Sequence, residues 1–380
     1  MNKRVLFDRE KMTFFPVDER VSKVFIAESH VDPLAPITIE TDAVMKRIKL
    51  IADEIVHSRE LGAAVMLTFG AHAIKNGLTR VLGELCTKGW VTHLSTNGAG
   101  VIHDWEFAYL GRSSEDVRVN VQEGRFGTWE ETGRYINLAL AVGAYEGLGY
   151  GEAIGAMITR QGLMIPERKS LVTDINRITD KEDDRTLVRE DSMRASAAVD
   201  LLELMNSYHI VPGFLSVPHP FSTYSIQALA YTQGVPFTSH PMFGHDIIYT
   251  HNLNRGSGIG RTAERDFLSY ANSVMNLEGG VYLSVGSAIM SPMIFEKALS
   301  MARNVLLPKG QNITNCGIHV VDLQKETWDW GKGEPPIDNP AYYLRFMKTF
   351  NRMGCRVDYT SADNRIFLVG LLQELESRTV

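Results

Sequence analysis

The sequence is poor in cysteine: Cys86, Cys316 and Cys355 are the only three in 380 residues, widely spaced and with no CxxC pair. This predicts neither a disulfide framework nor a thiolate zinc site. It also lacks an excess of positive charge. Thirty-nine Lys and Arg face 45 Asp and Glu, for a net charge of −6, which excludes the basic face of a general nucleic-acid binder but leaves room for a small cationic partner. No long hydrophobic run is present. The longest, INLALAVGA at 136–144, is far short of the roughly 20 residues that span a bilayer, so no membrane segment is expected. The N-terminal MNKRVLFDREKM is broken by charge and lacks a signal-peptide core. Together these absences predict a cytoplasmic protein. Repeats and low-complexity tracts are missing too. An apolar content of 44% against 22% charged residues excludes disorder.

What is present is an alternation of short apolar runs with helical periodicity. Helix is predicted over 40–62, 73–88, after the Gly-rich NGAG (97–100) through about 110, and over 127–147, 192–207, 222–233, 262–277, 340–353 and 364–377. Strand is predicted over 63–70, 91–96, 279–286, 316–323 and 356–361, with shorter extended segments at GFLSVP and VPFTSHP. Strands followed by helices imply an α/β fold with a mainly parallel sheet, because parallel neighbours need a crossover. Ser291-Pro292 reads as an N-cap followed by the first helical residue. The segment 166–191 contains DKEDDR at 180–185, six adjacent charges that mark a solvated excursion. Length alone allows two domains or one large α/β unit.

In such sheets ligands bind beyond the carboxyl ends of strands. Four junctions there have unusual composition: FGAHAIKNG (69–77), STNGAGVIHD (95–104), VGSAI (285–289) and TSADNR (360–365). None is a GxGxxG fingerprint. GSGIG at 256–260 follows a polar stretch and reads as a flexible loop. His240, His245, Asp246 and His251 lie within a dozen residues and offer an alternative, a metal-dependent hydrolase site, although their spacing is not that of a helix-borne pair. Lys332 sits in a Gly- and Pro-rich loop, and Lys348 in an aromatic stretch where desolvation would favour a nucleophilic amine.

From about residue 40 to 375 the chain resembles the deoxyhypusine synthase family. STNGAGVIHDWE is similar to the family's cofactor turn, FGAHAIKNG to its preceding turn, HPMFGHDIIYTH to its Gly-Asp-Met-Ile-Phe-Phe-His segment, YLSVGSAIMSP to its glycine-rich segment, and SADNRIFLVGLLQEL to its C-terminal stretch, all in the same order. The resemblance implies a Rossmann-like α/β domain over 40–380, flanked by an N-terminal extension (1–39). It also implies NAD as cofactor and a homotetramer. The implied activity is NAD-dependent transfer of an aminobutyl group from spermidine or a related polyamine, through an imine on a lysine, to a protein lysine acceptor. Carried over by position, the cofactor residues are His72, Asn76, Thr96, Asn97, Gly98, Ala99, Gly100, Gly286, Ser287 and Asp363. Asp246 corresponds to a carboxylate that pairs with the polyamine ammonium. Glu334 and Asp338 replace further acidic residues of the family's site.

Two departures bear on the catalytic residue. Met290-Ser291-Pro292 stands where the family has Lys-His-His. A literal Trp-Gly-Lys exists at 330–332, yet distance to the Ala362-Asp363 pair favours Lys348 over Lys332. The sequence thus predicts a transferase of this type acting on a cationic amine. A metal-dependent hydrolase and a non-catalytic NAD-binding protein stand as alternatives.

Overall fold

The computed structural model describes residues 4–39, 41–179 and 189–378. The charged run at 180–185 lies outside the described residues. Six parallel strands form the central sheet: β1 (Val65–Phe69), β2 (His93–Thr96), β3 (Phe237–Ser239), β4 (Val281–Val285), β5 (Gly317–Asp322) and β6 (Arg356–Ser361). Their spatial order is β3-β2-β1-β4-β5-β6, the order of doubly wound dinucleotide-binding sheets. The α/β, Rossmann-like expectation holds. In register, Val65 pairs Val281 across β1–β4, and Met66 pairs His93 across β1–β2.

The central strands β1 (VMLTF) and β4 (VYLSV) read as near-continuous apolar runs because helices cover both faces. Along β1, Val65, Leu67 and Phe69 face one core layer while Met66 faces the other. The first layer lies under helices Asp42–Leu61, Gly98–Leu110, Glu130–Glu146 and Asn364–Glu376. The second lies under Gly256–Val274, Met290–Leu306 and Arg345–Asn351. No helix among the described residues is long and apolar enough to cross a membrane.

Several local expectations need correction. GSGIG is not a loop: residues 256–260 open helix Gly256–Val274, where Gly258 packs against the backbone of Ala141. Ser291 does not cap its helix. That helix begins at Met290, and the Ser291 hydroxyl instead hydrogen-bonds the Tyr282 hydroxyl at 2.8 Å, a buried partner that outweighs the local capping signal. GFLS (Gly213–Ser216) pairs antiparallel with Gly162–Ile165 outside the main sheet. The expected absence of disulfides is also overturned. Cys316 and Cys355 form one, with Cα atoms 5.5 Å apart. Their separation of 39 residues in sequence hides that Gly317 and Arg356 pair in register, which sets the preceding cysteines side by side.

The segment before residue 40 packs on the rest of the chain. Val24–Phe25 pairs with Arg112–Ser113, and Arg9 donates to the carbonyls of Tyr249 and His251 and to Asn254.

Candidate functional site

Strand order reverses between β1 and β4, and a crevice at that point is where such sheets hold ligands. Here the two turns touch. The Gly70 amide donates to Val285 O at 3.0 Å. A Cβ on Gly70 would lie 2.1 Å from the Gly286 carbonyl oxygen, so only glycine fits. Gly286 has φ +59°, and above its α-carbon lies open space.

The other predicted cofactor residues lie along the same edge. Thr96 donates to the Phe69 carbonyl at 2.9 Å, fastening β2 to the end of β1. Asn97 caps helix Gly98–Leu110 by accepting the Gly100 amide at 2.9 Å. Gly100 rests on Thr96, whose Oγ1 would be 2.2 Å from an added Cβ. Asn76 donates to Asn364 Oδ1 at 2.9 Å, joining the turn after β1 to the helix after β6. Ser287 Oγ accepts the Ser291 amide at 3.3 Å. Asp363 caps helix Asn364–Glu376, and the Arg365 guanidinium 2.9 Å away holds its carboxyl below the usual range. His72 is exposed; partial burial and then the nearby Lys75 charge lower its pKa.

Beside this edge, under the first turns of helix Gly98–Leu110, lies a cavity of about 200 Å³. Asp246 lines it together with Lys75, Ala99 and His103. A Cβ on Gly98 would stand 2.1 Å from Asp246 Oδ2, so the glycine exists to admit the carboxylate. That Oδ2 is sealed from solvent and has no hydrogen-bond partner. Burial pushes the Asp246 carboxyl up to about 7, where it can hold or release a proton at neutral pH.

Apart from Lys75 and the exposed His245, the other titratable groups around the cavity are satisfied internally. Arg20 and Glu106 form a buried bidentate pair at 2.5 and 2.9 Å, and Glu106 also accepts from Ser113 and Thr132. Glu115 accepts from Trp129 Nε1 at 3.0 Å and from Asn120. His103 shares a 2.6 Å hydrogen bond with Ser113, and burial takes its pKa down to about 4, leaving it neutral.

Arg20, Lys75, His103, Glu106 and Glu115 were not among the residues expected from sequence. The available signal was His103, Asp104 and Glu106 on a mostly apolar helix directly behind NGAG. Asp104, on the same helix, turns the other way and caps helix Ile226–Gln233 through Ser225 and the Ile226 amide.

The predicted lysines differ sharply. Lys348 Nζ lies 2.7 Å from Glu334 and 3.3 Å from the Tyr342 ring centre. Desolvation works against its charge, but Glu334 and the Tyr342 hydroxyl prevail and raise its pKa. Lys332 is exposed, 3.6 Å from Asp329, and Asp338 is also exposed.

The histidine alternative does not assemble. His240 is buried, bonded to Thr238 and packed on Tyr270. His251 bonds Glu130 at 3.2 Å, while His245 is exposed. No group of three His, Cys, Asp or Glu among the described residues could hold a metal ion.

Fold and edge define an α/β chain of dinucleotide-binding topology. No family model matches it, and no curated protein matches it by sequence. Solved structures similar to it include ArgZ, an arginine dihydrolase from the ornithine-ammonia cycle in cyanobacteria, at 15% identity and a TM-score of 0.41 over 90% of this chain and 33% of that one. A conserved LOR/SDH protein from Methanococcus maripaludis S2 is similar at 14% identity and a TM-score of 0.42, over 93% of this chain and 74% of that one. AgrE, crystallised with ornithine and NAD+, is similar at 14% identity and a TM-score of 0.41, over 90% and 34%. The chain thus spans about a third of the length of ArgZ and of AgrE.

Proposed function

We propose that the chain is an NAD-binding enzyme that acts on a small cationic amine. The observation that carries this reading is the unpartnered Oδ2 of Asp246, set against Gly98 beside the edge where the turns after β1 and β4 meet. A dinucleotide suits the residues of that edge: the open space over Gly286 lets a ligand approach the backbone, while Gly70 lets the turn after β1 pack directly on the turn after β4. Bound NAD would supply a hydride acceptor. Asp246 would hold the ammonium, and with its carboxyl near 7 it could take the proton the amine must lose before oxidation.

In its finer form the proposal follows the deoxyhypusine synthase type, with a lysine imine carrying the amine-derived group to an acceptor amine. Of the two lysines, Lys348 is the better choice, because Glu334 and the Tyr342 ring fix its Nζ in a half-buried position while Lys332 stands in solvent.

Titration of the full chain with NAD, followed by reduced-nicotinamide absorbance across an amine panel, tests the reading. Saturable NAD binding with reduction by at least one amine is expected. Absence of NAD binding, or binding without reduction by any amine, overturns it. Borohydride added during turnover is expected to fix the amine-derived group on Lys348. Labelling of Lys332 instead moves the covalent step to that residue, and labelling of no lysine removes the step and leaves the redox reading standing.

A further inference from the structure

The cavity holding Asp246 contains a charge that this function does not use. Lys75 ends the short helix Ala71–Lys75 after β1 and lines the same 200 Å³ space. Among the described residues it forms no ion pair and no side-chain hydrogen bond. Its charge is nonetheless felt by its neighbours, lowering the pKa of both His72 and His103 after the larger effect of burial. Every other titratable group around the cavity except the exposed His245 is committed: Arg20 to Glu106, Glu115 to Trp129 and Asn120, and His103 to Ser113. One cation and one carboxylate, Lys75 and Asp246, remain unspent in the lining of one cavity.

We infer that this cavity takes a zwitterion, an amino acid whose carboxylate is received by Lys75 and whose ammonium is received by Asp246. The inference rests on the reading that Asp246 binds the amine, and it narrows the substrate class. A polyamine carries only positive charge, so Lys75 would repel it inside a space where water screens poorly. An amino acid answers both charges at once, and each contact is a charge-assisted hydrogen bond. His103, neutral beside them, can accept or donate a hydrogen bond without disturbing the balance. Binding alone is assigned here; no bond to Lys75 is required.

The test compares ligands that differ only by a carboxylate: L-ornithine against 1,4-diaminobutane, and L-lysine against 1,5-diaminopentane. Calorimetric titration of the full chain, with NAD present, is expected to favour each amino acid over its diamine by at least tenfold. Lys75→Met is expected to abolish that preference, and Lys75→Arg to restore it, so a folding defect in the first variant cannot mimic the result. Equal or tighter binding of the diamines to the wild-type chain overturns the inference, as does a preference that survives in Lys75→Met. Failure of both ligand classes to bind also overturns it. If diamines drive nicotinamide reduction and amino acids do not, the zwitterion inference falls while the redox reading stands. If neither does so, the redox reading falls as well.

Discussion

Replacing Asp246 by Asn is expected to weaken amine binding about 100-fold while making the folded chain more stable above neutral pH. The binding loss follows from removing the negative partner of a charge-assisted hydrogen bond, worth about 1.5–3 kcal/mol in a partly desolvated site. The stability gain follows from linkage. In the folded chain the Asp246 carboxyl ionises near 7, against an ordinary value of 3.8, because burial disfavours its charge. Between those two values the folded state holds a proton that the unfolded state has released, so stability falls as pH rises from about 4 to about 7 and is level above that. A shift of this size corresponds to at most about 4 kcal/mol, and the open cavity mouth reduces the expected figure to about 2 kcal/mol. Asn carries no such charge. Urea unfolding at pH 5 and pH 8 should therefore separate wild type from variant mainly at the higher pH. A variant destabilised at pH 8, or one that keeps wild-type amine affinity, would remove Asp246 from the role given to it.

The second large effect is expected at Gly70. A methyl group there would sit 2.1 Å from the Gly286 carbonyl oxygen and 3.1 Å from its carbon, and both are backbone atoms. Relief requires β1 and β4 to part at the point where their turns touch, at a cost of about 3 kcal/mol by comparison with overpacked cores. Gly286→Ala is the informative control. Its methyl would meet nothing within 4 Å, and only the left-handed φ of +59° resists it, at about 1–2 kcal/mol. Gly70→Ala should thus lose NAD binding and much of its thermal stability, while Gly286→Ala loses the smaller part of both. Wild-type NAD affinity in Gly70→Ala would place the cofactor away from this crevice.

Much of the fold was legible because buried parallel strands announce themselves. VMLTF, VYLSV and RVDYTS stand out as apolar or β-branched runs between helices with clear periodicity. The glycine junctions were legible for a related reason, since a strand turning into a helix leaves few other choices. Strand order was not, because which runs neighbour one another depends on packing between segments more than two hundred residues apart, such as Val65 and Val281. The cavity was harder still. Asp246 was anticipated through resemblance, but Arg20, Lys75 and His103 reach it from three separate elements and share no local pattern with it. The disulfide was hidden by the same arithmetic of register, and GSGIG misled because glycine reads as loop even where a neighbouring helix needs its missing side chain.

The position of β1 has a consequence for how the chain is made. It is a central strand, paired on one side with β2 soon after it and on the other with β4 about 200 residues later. At roughly 5–20 residues per second on the ribosome, its second edge waits on the order of 10–40 seconds for a partner. During that interval the backbone edge of a largely apolar strand is unpaired on a nascent chain, and holding it safe falls to chaperones or to the early helices rather than to the native sheet.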